Sequence, residues 1–460
     1  MANGMAYIVV DLGYGDAGKG TIVDALVRET RSKMVVRFNG GCQAAHNVVL
    51  PDGTRHTFSQ FGSGSFVPGV KTYLSEHFLW NPISMMAEAE VLGSRGLIDI
   101  LDTVYVDEHA LVVTPWHRAF NRLIEFARGD GRHGSCGQGI GQAVELRYDR
   151  PRNYSLLAGD LKIFSVEQIA EVLTRIAQLK RDEWFNMRPH PEVTSAFPHE
   201  DLKFLLDIDA PLKCATLYKQ ILSRVKIAGH DLDWNSAKLG SMWDDNIVFE
   251  GAQGILIDEN WGFAPYQTWS TCTSANARNI LRRVGWIGGI HTIGVTRAYA
   301  IRHGAGPFPT EDREMSHSHD FRETDNVYNP WQGPPRIGNF DAVATNYAIE
   351  ADDHIDSLAI TNIDRFAWRR DGIIQNWQVC TRYKWPDMVG PLVLTPRWKQ
   401  EHGADATDIM SKVKPVYDLR GSSPDYMLST ISSLLDRPIS ITSRGPTHTD
   451  KSFNNEIVHP

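Results

Sequence analysis

Long hydrophobic runs are missing from this chain: nothing in it reaches the roughly 18 consecutive apolar residues that a bilayer span requires. The opening stretch, Met1 to Val10, lacks the basic start and longer apolar core of a signal peptide, so a cytoplasmic protein with no membrane partner is expected. Basic charge is also in short supply. Lys and Arg number 47 against 55 Asp and Glu, a net charge of −8, which excludes a general nucleic-acid binder while still allowing a local basic pocket. Cysteine is sparse. The five present (Cys42, Cys136, Cys214, Cys272, Cys380) are scattered with no CxxC pair, which argues against a disulfide framework or a zinc site and fits a reducing compartment. Repeats, low-complexity tracts and linker-like composition are absent, and 42% apolar with 22% charged residues is the balance of an ordinary globular chain.

What is present begins with a short run rich in β-branched residues, Ala6 to Val10, too short for a helix, followed by the glycine loop Gly13-Tyr14-Gly15-Asp16-Ala17-Gly18-Lys19-Gly20. From Thr21 the apolar spacing turns helical, so the loop opens a helix whose free N–H groups point back at it; Lys33 to Phe38 then reads as a second strand. Asn246–Glu250 and Ser357–Thr361 are further short apolar strands that run into polar or glycine residues. The expected fold is α/β, a large, mainly parallel sheet flanked by helices, with ligands outside the carboxyl ends of its strands. Ser165 to about Asp245 has helical spacing, broken near Arg188-Pro189-His190-Pro191, and is expected to form a helical layer. At about 150 residues per domain the length allows three domains, but the expectation is one, spanning 1–460.

The loop nearly matches the phosphate-binding pattern GxxxxGK[ST], then places Gly20 where that pattern needs a hydroxyl for Mg2+. It carries Asp16 instead. A carboxylate beside a triphosphate is repulsive unless it binds a metal or takes a proton. Chance occurrence of Gly-Asp-x-Gly-Lys-Gly in such a chain is on the order of one in a thousand, so a phosphate site is the reading.

Gly15 to Gly20, followed by Arg37-Phe38-Asn39-Gly40-Gly41-Cys42-Gln43-Ala44-Ala45-His46, resembles the opening of the adenylosuccinate synthetase family, with its GDEGKG and GGxNAGH segments. Phe249-Glu250-Gly251-Ala252-Gln253-Gly254, Gly304 to Glu311 (GAGPFPTE), Phe340 to Ala344, Lys414 to Tyr417 and Ser443-Arg444-Gly445-Pro446 follow in the family's order, so the resemblance spans almost the whole chain. It implies a fold related to P-loop proteins and a homodimeric ligase using GTP and Mg2+. That enzyme phosphorylates the 6-oxygen of a purine nucleoside monophosphate, and an amine then displaces the phosphate.

By resemblance, Asp16 takes the purine N1 proton and His46 is the acid at the phosphoryl group. The same resemblance assigns Gly15, Gly18, Lys19, Gly20, Asn362, Asp364, Ser443, Gly445 and Pro446 to the triphosphate. It assigns Gln43, Cys136, Arg150, Gln253 and Thr268 to the monophosphate, with Arg150 reaching the partner subunit's substrate. Asp16 and Ala45 are its Mg2+ positions. Phosphorylation converts a poor leaving group into a good one, and an acid, a base and a metal share the developing charge.

Departures from the family cluster where it grips aspartate. Its run of arginines is Gln332-Gly333-Pro334-Pro335-Arg336 here, leaving Arg336 alone, and a further arginine is Gln138. Hydrogen bonds to charged groups contribute roughly 1.5–3 kcal/mol each, so the expected amine-donor pocket, Gln332 and Arg336, fits another amino donor or another mode of holding aspartate. Arg302 and Arg322 are possible substitutes. Asn362 stands in place of the lysine that packs on guanine, so GTP is favoured and ATP stays open. Gln43, Ala45 and Cys136 also differ from the family, which leaves a 2-aminopurine or deoxy substrate open, as in phage relatives acting on dGMP. A phosphotransferase that stops before ligation and a non-catalytic binding homologue complete the alternatives. Trp261, Trp269 and Trp331 are expected to pack, His303, His317 and His319 to sit on a surface loop, and Asp352-Asp353 to form a solvated turn.

Overall fold

The computed structural model describes residues 4–187, 199–229, 245–323, 326, 328–366, 377–385, 390–421 and 423–454. In chain order its strands are β1 (Met5–Asp11), β2 (Met34–Arg37), β3 (His46–Val49), β4 (Arg55–Phe58), β5 (Lys71–Leu74), β6 (Val104–Asp107), β7 (Lys226–Ala228), β8 (Ile247–Glu250) and β9 (Gly289–Arg297). They continue as β10 (Ala300–His303), β11 (Pro335–Gly338), β12 (Phe340–Asp341), β13 (Ser357–Thr361), β14 (Trp377–Lys384), β15 (Pro391–Leu392), β16 (Lys414–Gly421), β17 (Ile439–Ser443) and β18 (Lys451–Phe453). Ten of them form one sheet in the order β18-β17-β13-β9-β1-β8-β2-β5-β6-β7. Its pairings are parallel except for β17–β18 at the edge.

β1 lies near the middle of the sheet, and alternation along it sends side chains to both faces. Ala6, Ile8 and Val10 enter the larger core, while Tyr7 and Val9 meet Ile22, Val23 and Leu26 of α1 (Lys19–Thr30) on the other side. Burial on both faces is why the strand reads as an unbroken apolar run. A separate cluster under β5 and β6 takes the apolar sides of helices Val166–Met187 and Ala210–Ile221 through Ile169, Leu173, Ile176 and Tyr218.

The segment expected as a helical layer is helical at Val166–Met187, His199–Leu206 and Ala210–Ile221, but it also contributes β7, which pairs with β6 at the sheet edge. β7 is only three residues, too short to show a period of its own, and its pairing with β6 makes it a strand. The expected break at Arg188 to Pro191 lies outside the described residues. No helix among the described residues is long and apolar enough to cross a membrane.

Candidate active site

The carboxyl ends of β1, β2, β8, β9, β13 and β17 open onto one cavity of about 970 Å3. Asp11, the last residue of β1 and 1% exposed, organises the glycine loop beside it. Its carboxylate accepts from Gly13 N–H (2.8 Å), Ala17 N–H (3.0 Å) and the Lys19 ammonium (2.7 Å). Lys19 also donates to the Gln253 carbonyl at 2.7 Å, so two of its three N–H groups are held and one is left for a ligand. α1 begins at Lys19 with no side-chain cap, the arrangement in which first-turn N–H groups can take an anion.

Gly20, the glycine in place of a hydroxyl residue, has a steric reason. A Cβ there would lie 2.8 Å from the His46 Cβ and 2.9 Å from its carbonyl carbon, so its absence lets the β3–β4 hairpin cross the start of α1. His46 is thereby carried into the cavity. Its Nδ1 meets Glu250 Oε1 at 2.5 Å, and Glu250, at the end of β8, also accepts from Ser63 N–H at 2.9 Å and from the Ser63 hydroxyl. Arg37 is the register partner of Glu250 on β2. Burial by itself would raise the Glu250 pKa, but Arg37, His46 and Ser63 outweigh it and hold the carboxyl well below its ordinary range. Burial lowers the His46 pKa, against the pull of Glu250. The buried pair is therefore a carboxylate with a neutral imidazole, Nδ1–H donating and Nε2 left for a ligand.

Asp16 lines the same cavity. Its carboxylate accepts from Asn326 Nδ2 at 2.7 Å and its carbonyl from Arg297 Nε at 2.6 Å, with Arg297 in turn paired to Glu323 at 2.5 Å. Asp16, Gln253 and Asn362 all hold left-handed backbone, with φ of 60°, 64° and 55°.

Gly15, Gly18, Gln43, Ala45, Cys136, Thr268, Gln332, Asp364, Ser443, Gly445 and Pro446 line the cavity as well. Both amide atoms of Gln43 and the Oε1 of Gln253 are buried without a partner among the described residues, while Gln253 Nε2 donates to the Thr268 hydroxyl. Burial raises the Cys136 pKa, so its thiol stays neutral. Arg150 and Arg336 are not among the lining residues. Arg150 is half exposed and 3.7 Å from Glu183.

The arginines considered as substitutes are otherwise engaged. Arg302 donates to the carbonyls of Ala305 (3.0 Å), Pro307 (2.8 Å) and Tyr266 (3.3 Å) and lies over the Tyr14 ring. Arg336 donates to Glu311 (2.9 Å) and to the carbonyls of Gly304 (2.8 Å) and Gly306 (3.0 Å). Both clamp the 304–307 turn. Arg322 is exposed and outside the lining.

Several expectations are corrected. His303 lies on β10, lines the cavity and bonds the Gly333 carbonyl at 2.8 Å; it is not on a surface loop. Asp352 is buried at the end of helix Ala342–Asp352 and accepts from Ser274 N–H and Oγ at 2.6 Å, because it ties that helix to the one beginning at Ala275. Trp269 lines the cavity and is 54% exposed, packed against Gly141. Trp331 packs under Arg122, and Trp261 packs against the larger core. Asp11, Arg297 and Asn326 escaped the sequence reading; the carboxylate ending an apolar strand just before the glycines was the available signal for Asp11.

A parallel sheet with this loop at a strand end, a basic group on it and an acid–base pair across one cavity defines an α/β nucleotide-site enzyme. Comparison with known proteins makes the class particular. The adenylosuccinate synthetase family model matches residues 8–451. The chain belongs to the adenylosuccinate synthetase family, ligases that form a C–N bond. Relatives include the adenylosuccinate synthetases of Vibrio cholerae, 29% identical with 98% of each chain covered, and Vibrio vulnificus, 30% identical with 99% of each covered. Among solved structures, fully ligated adenylosuccinate synthetase from Plasmodium falciparum matches with a TM-score of 0.76 at 20% identity, over 97% of this chain and 99% of that one. Cyanophage S-2L succinoaminodeoxyadenylate synthetase, bound to dGMP and dATP, matches with a TM-score of 0.59 at 17% identity, over 98% and 95%.

Proposed function

We propose that this chain transfers the γ-phosphoryl group of a purine nucleoside triphosphate, GTP in the first instance, to the 6-oxygen of a purine nucleoside monophosphate, and that an amine then displaces phosphate at C6. The observation that carries the reading is the convergence of Asp16, Lys19 and the His46–Glu250 pair on one cavity large enough for two nucleotides. Asp16 takes the N1 proton as the 6-oxygen attacks phosphorus and the diphosphate leaves. His46 starts neutral; negative charge arriving beside Nε2, with Glu250 behind Nδ1, favours the imidazolium that donates to the phosphoryl oxygens. In the second step the amine nitrogen bonds to C6, phosphate leaves and the nitrogen gives up a proton.

Mg2+ fits the donors present. Among the described residues no cluster of three or more His, Cys, Asp or Glu could hold a metal by itself, which suits an ion bound by one carboxylate and substrate phosphates. Asp16 and the Ala45 carbonyl would hold it in this reading, and once bound it would supply positive charge against that developing on the transferred group.

The amine end departs from a dicarboxylate grip. Arg302 and Arg336 both donate to carbonyls of the 304–307 turn, and Arg302 lines the cavity beside Gln332 and His303. This supports an amine donor other than aspartate, or aspartate held in a different way. Asn362 and the unpartnered Gln43 amide support a second reading, a (d)GMP acceptor with ATP as donor. Arg150, outside its own cavity and half exposed, supports a homodimer in which it serves the partner's site. A ten-stranded sheet that takes in both β1 and β18 supports a single domain, and the reading keeps the enzyme in the cytoplasm as the sequence leads one to expect.

The test is mass spectrometry of reactions with Mg2+, GTP or ATP, IMP or dGMP, and a panel of amino acids. An adduct lost in Asp16→Asn is expected. Efficient succinyl-adduct formation with an aspartate KM below about 1 mM would overturn the amine reading, and phosphate release without any amine would turn the enzyme into a phosphotransferase.

A further inference from the structure

The loop that joins β17 to β18, residues 443–451, contributes Ser443, Gly445 and Pro446 to the cavity. It closes on the first residue of β18. The Lys451 ammonium, 8% exposed, donates to the carbonyls of Gly445 and Thr447, each at 2.7 Å. The carbonyl between them, that of Pro446, accepts from the Thr21 hydroxyl on α1 at 2.9 Å. Three successive carbonyls are thus held by side-chain donors. Asp450 fixes the next corner, accepting from Thr447 N–H at 2.8 Å and its hydroxyl at 2.7 Å. Thr447 also bridges Val49, the end of the strand that begins at His46.

We propose that Lys451 is a positioning residue for the phosphoryl donor: its ammonium sets the wall against which the triphosphate's purine is read, and joins that wall to the phosphate helix and to the His46 strand. This rests on the reading that Ser443, Gly445, Pro446 and Asp364 form the base pocket. The ammonium does not touch the nucleotide; it acts through the Gly445 and Thr447 carbonyls.

The charge environment is closed. Asp450 precedes Lys451, Asp24 faces it from α1, and Asp364 faces it from the turn after β13; Asp24 is paired with Arg28 at 3.0 Å and lies 3.9 Å from His448. Burial lowers the Lys451 pKa to about 8 against the pull of these carboxylates. Mildly alkaline solution therefore removes the positive charge that holds the Gly445 and Thr447 carbonyls, and a neutral amine is the weaker donor to them.

The experiment compares wild type, Lys451→Met, Lys451→Arg and Asp364→Asn in steady state, with the triphosphate and the monophosphate varied separately from pH 6.5 to 9.5. Lys451→Met is expected to raise the triphosphate KM about tenfold, with kcat and the monophosphate KM within about twofold. In wild type the triphosphate KM should rise several-fold between pH 7 and 9. In Lys451→Arg that rise should vanish, since a guanidinium stays charged throughout. Asp364→Asn tests the pocket itself: no change in its triphosphate KM would refute the base-pocket reading and the inference with it. A raised KM in Asp364→Asn alongside an unchanged one in Lys451→Met, or a Lys451→Arg profile that tracks wild type, would overturn the role of Lys451 alone. If Lys451→Met does not fold, the Lys451→Arg profile decides.

Discussion

At the phosphate-loop end of the cavity, Asp11 gathers Gly13, Ala17 and Lys19, and Glu250 orients His46 while bonding Ser63. On the acceptor and amine side, Gln43 and Gln253 of the monophosphate pocket keep buried amide atoms without partners among the described residues, and Arg302 and Arg336 hold backbone carbonyls. Apart from two buried guanidinium nitrogens of Arg37, the polar groups of the first region are paired before any ligand arrives; the second waits for one. Transfer of a phosphoryl group depends on fixed charge and alignment, which a preformed shell supplies. Recognition of a particular acceptor and amine depends on groups whose hydrogen bonds are completed only by the right molecule, because an incorrect one leaves them unsatisfied. The difference suggests a shared first step joined to a specialised second one.

The largest test of that contrast is Asp16→Asn. Loss of the base should lower kcat about a thousandfold while leaving the triphosphate KM within about threefold; a KM effect alone would mean that Asp16 binds without reacting. Glu250→Gln comes next. It removes the anion that orients and supports His46, and a fall in kcat of about a hundredfold is expected in steady-state assays. Retention of full activity would place the assembled region outside the chemistry.

Arg336→Met probes the other end. If its guanidinium serves only Glu311 and the 304–307 turn, chemical denaturation should reveal a loss of about 1–3 kcal/mol with the amine KM unchanged. A KM increase of a hundredfold would instead restore it to donor binding. The smallest effect is with acid. Burial lowers the His117 pKa to about 3 and lowers that of His46, so both are neutral in the fold and take protons more readily when unfolded. Their stabilising contribution is complete above about pH 6.5 and is lost as pH falls toward the folded values. A buried histidine of this kind should cost about 2 kcal/mol by pH 5, measurable as a falling melting temperature. His46→Asn should blunt the fall if the assembled region carries part of it.

Much of this region was legible from local pattern. The strand, glycine loop and helix follow from periodicity, and Asp16, Lys19, His46 and Gln253 sit in short motifs that all reach the cavity. What could not be read were the pairings that sheet order creates. Glu250 meets His46 across 204 residues, Lys19 meets the Gln253 carbonyl across 234, and Asn326 meets Asp16 across 310. No periodicity encodes such contacts. The same limit applies to Arg336: its position hinted at a substrate contact, whereas antiparallel pairing of β10 with β11 turns it onto the 304–307 turn. Asp352 looked solvated because its neighbour Asp353 is, yet the helix end buries one and exposes the other.

The left-handed backbone at Asp16, Gln253 and Asn362 has a consequence for thermal engineering. Each of these residues occupies a conformation in which glycine is favoured by roughly 1 kcal/mol, and all three line the cavity. A search for heat-tolerant variants would therefore drift toward glycine at the very positions whose side chains the proposed reaction uses. In this enzyme, screening on melting temperature alone would select against turnover.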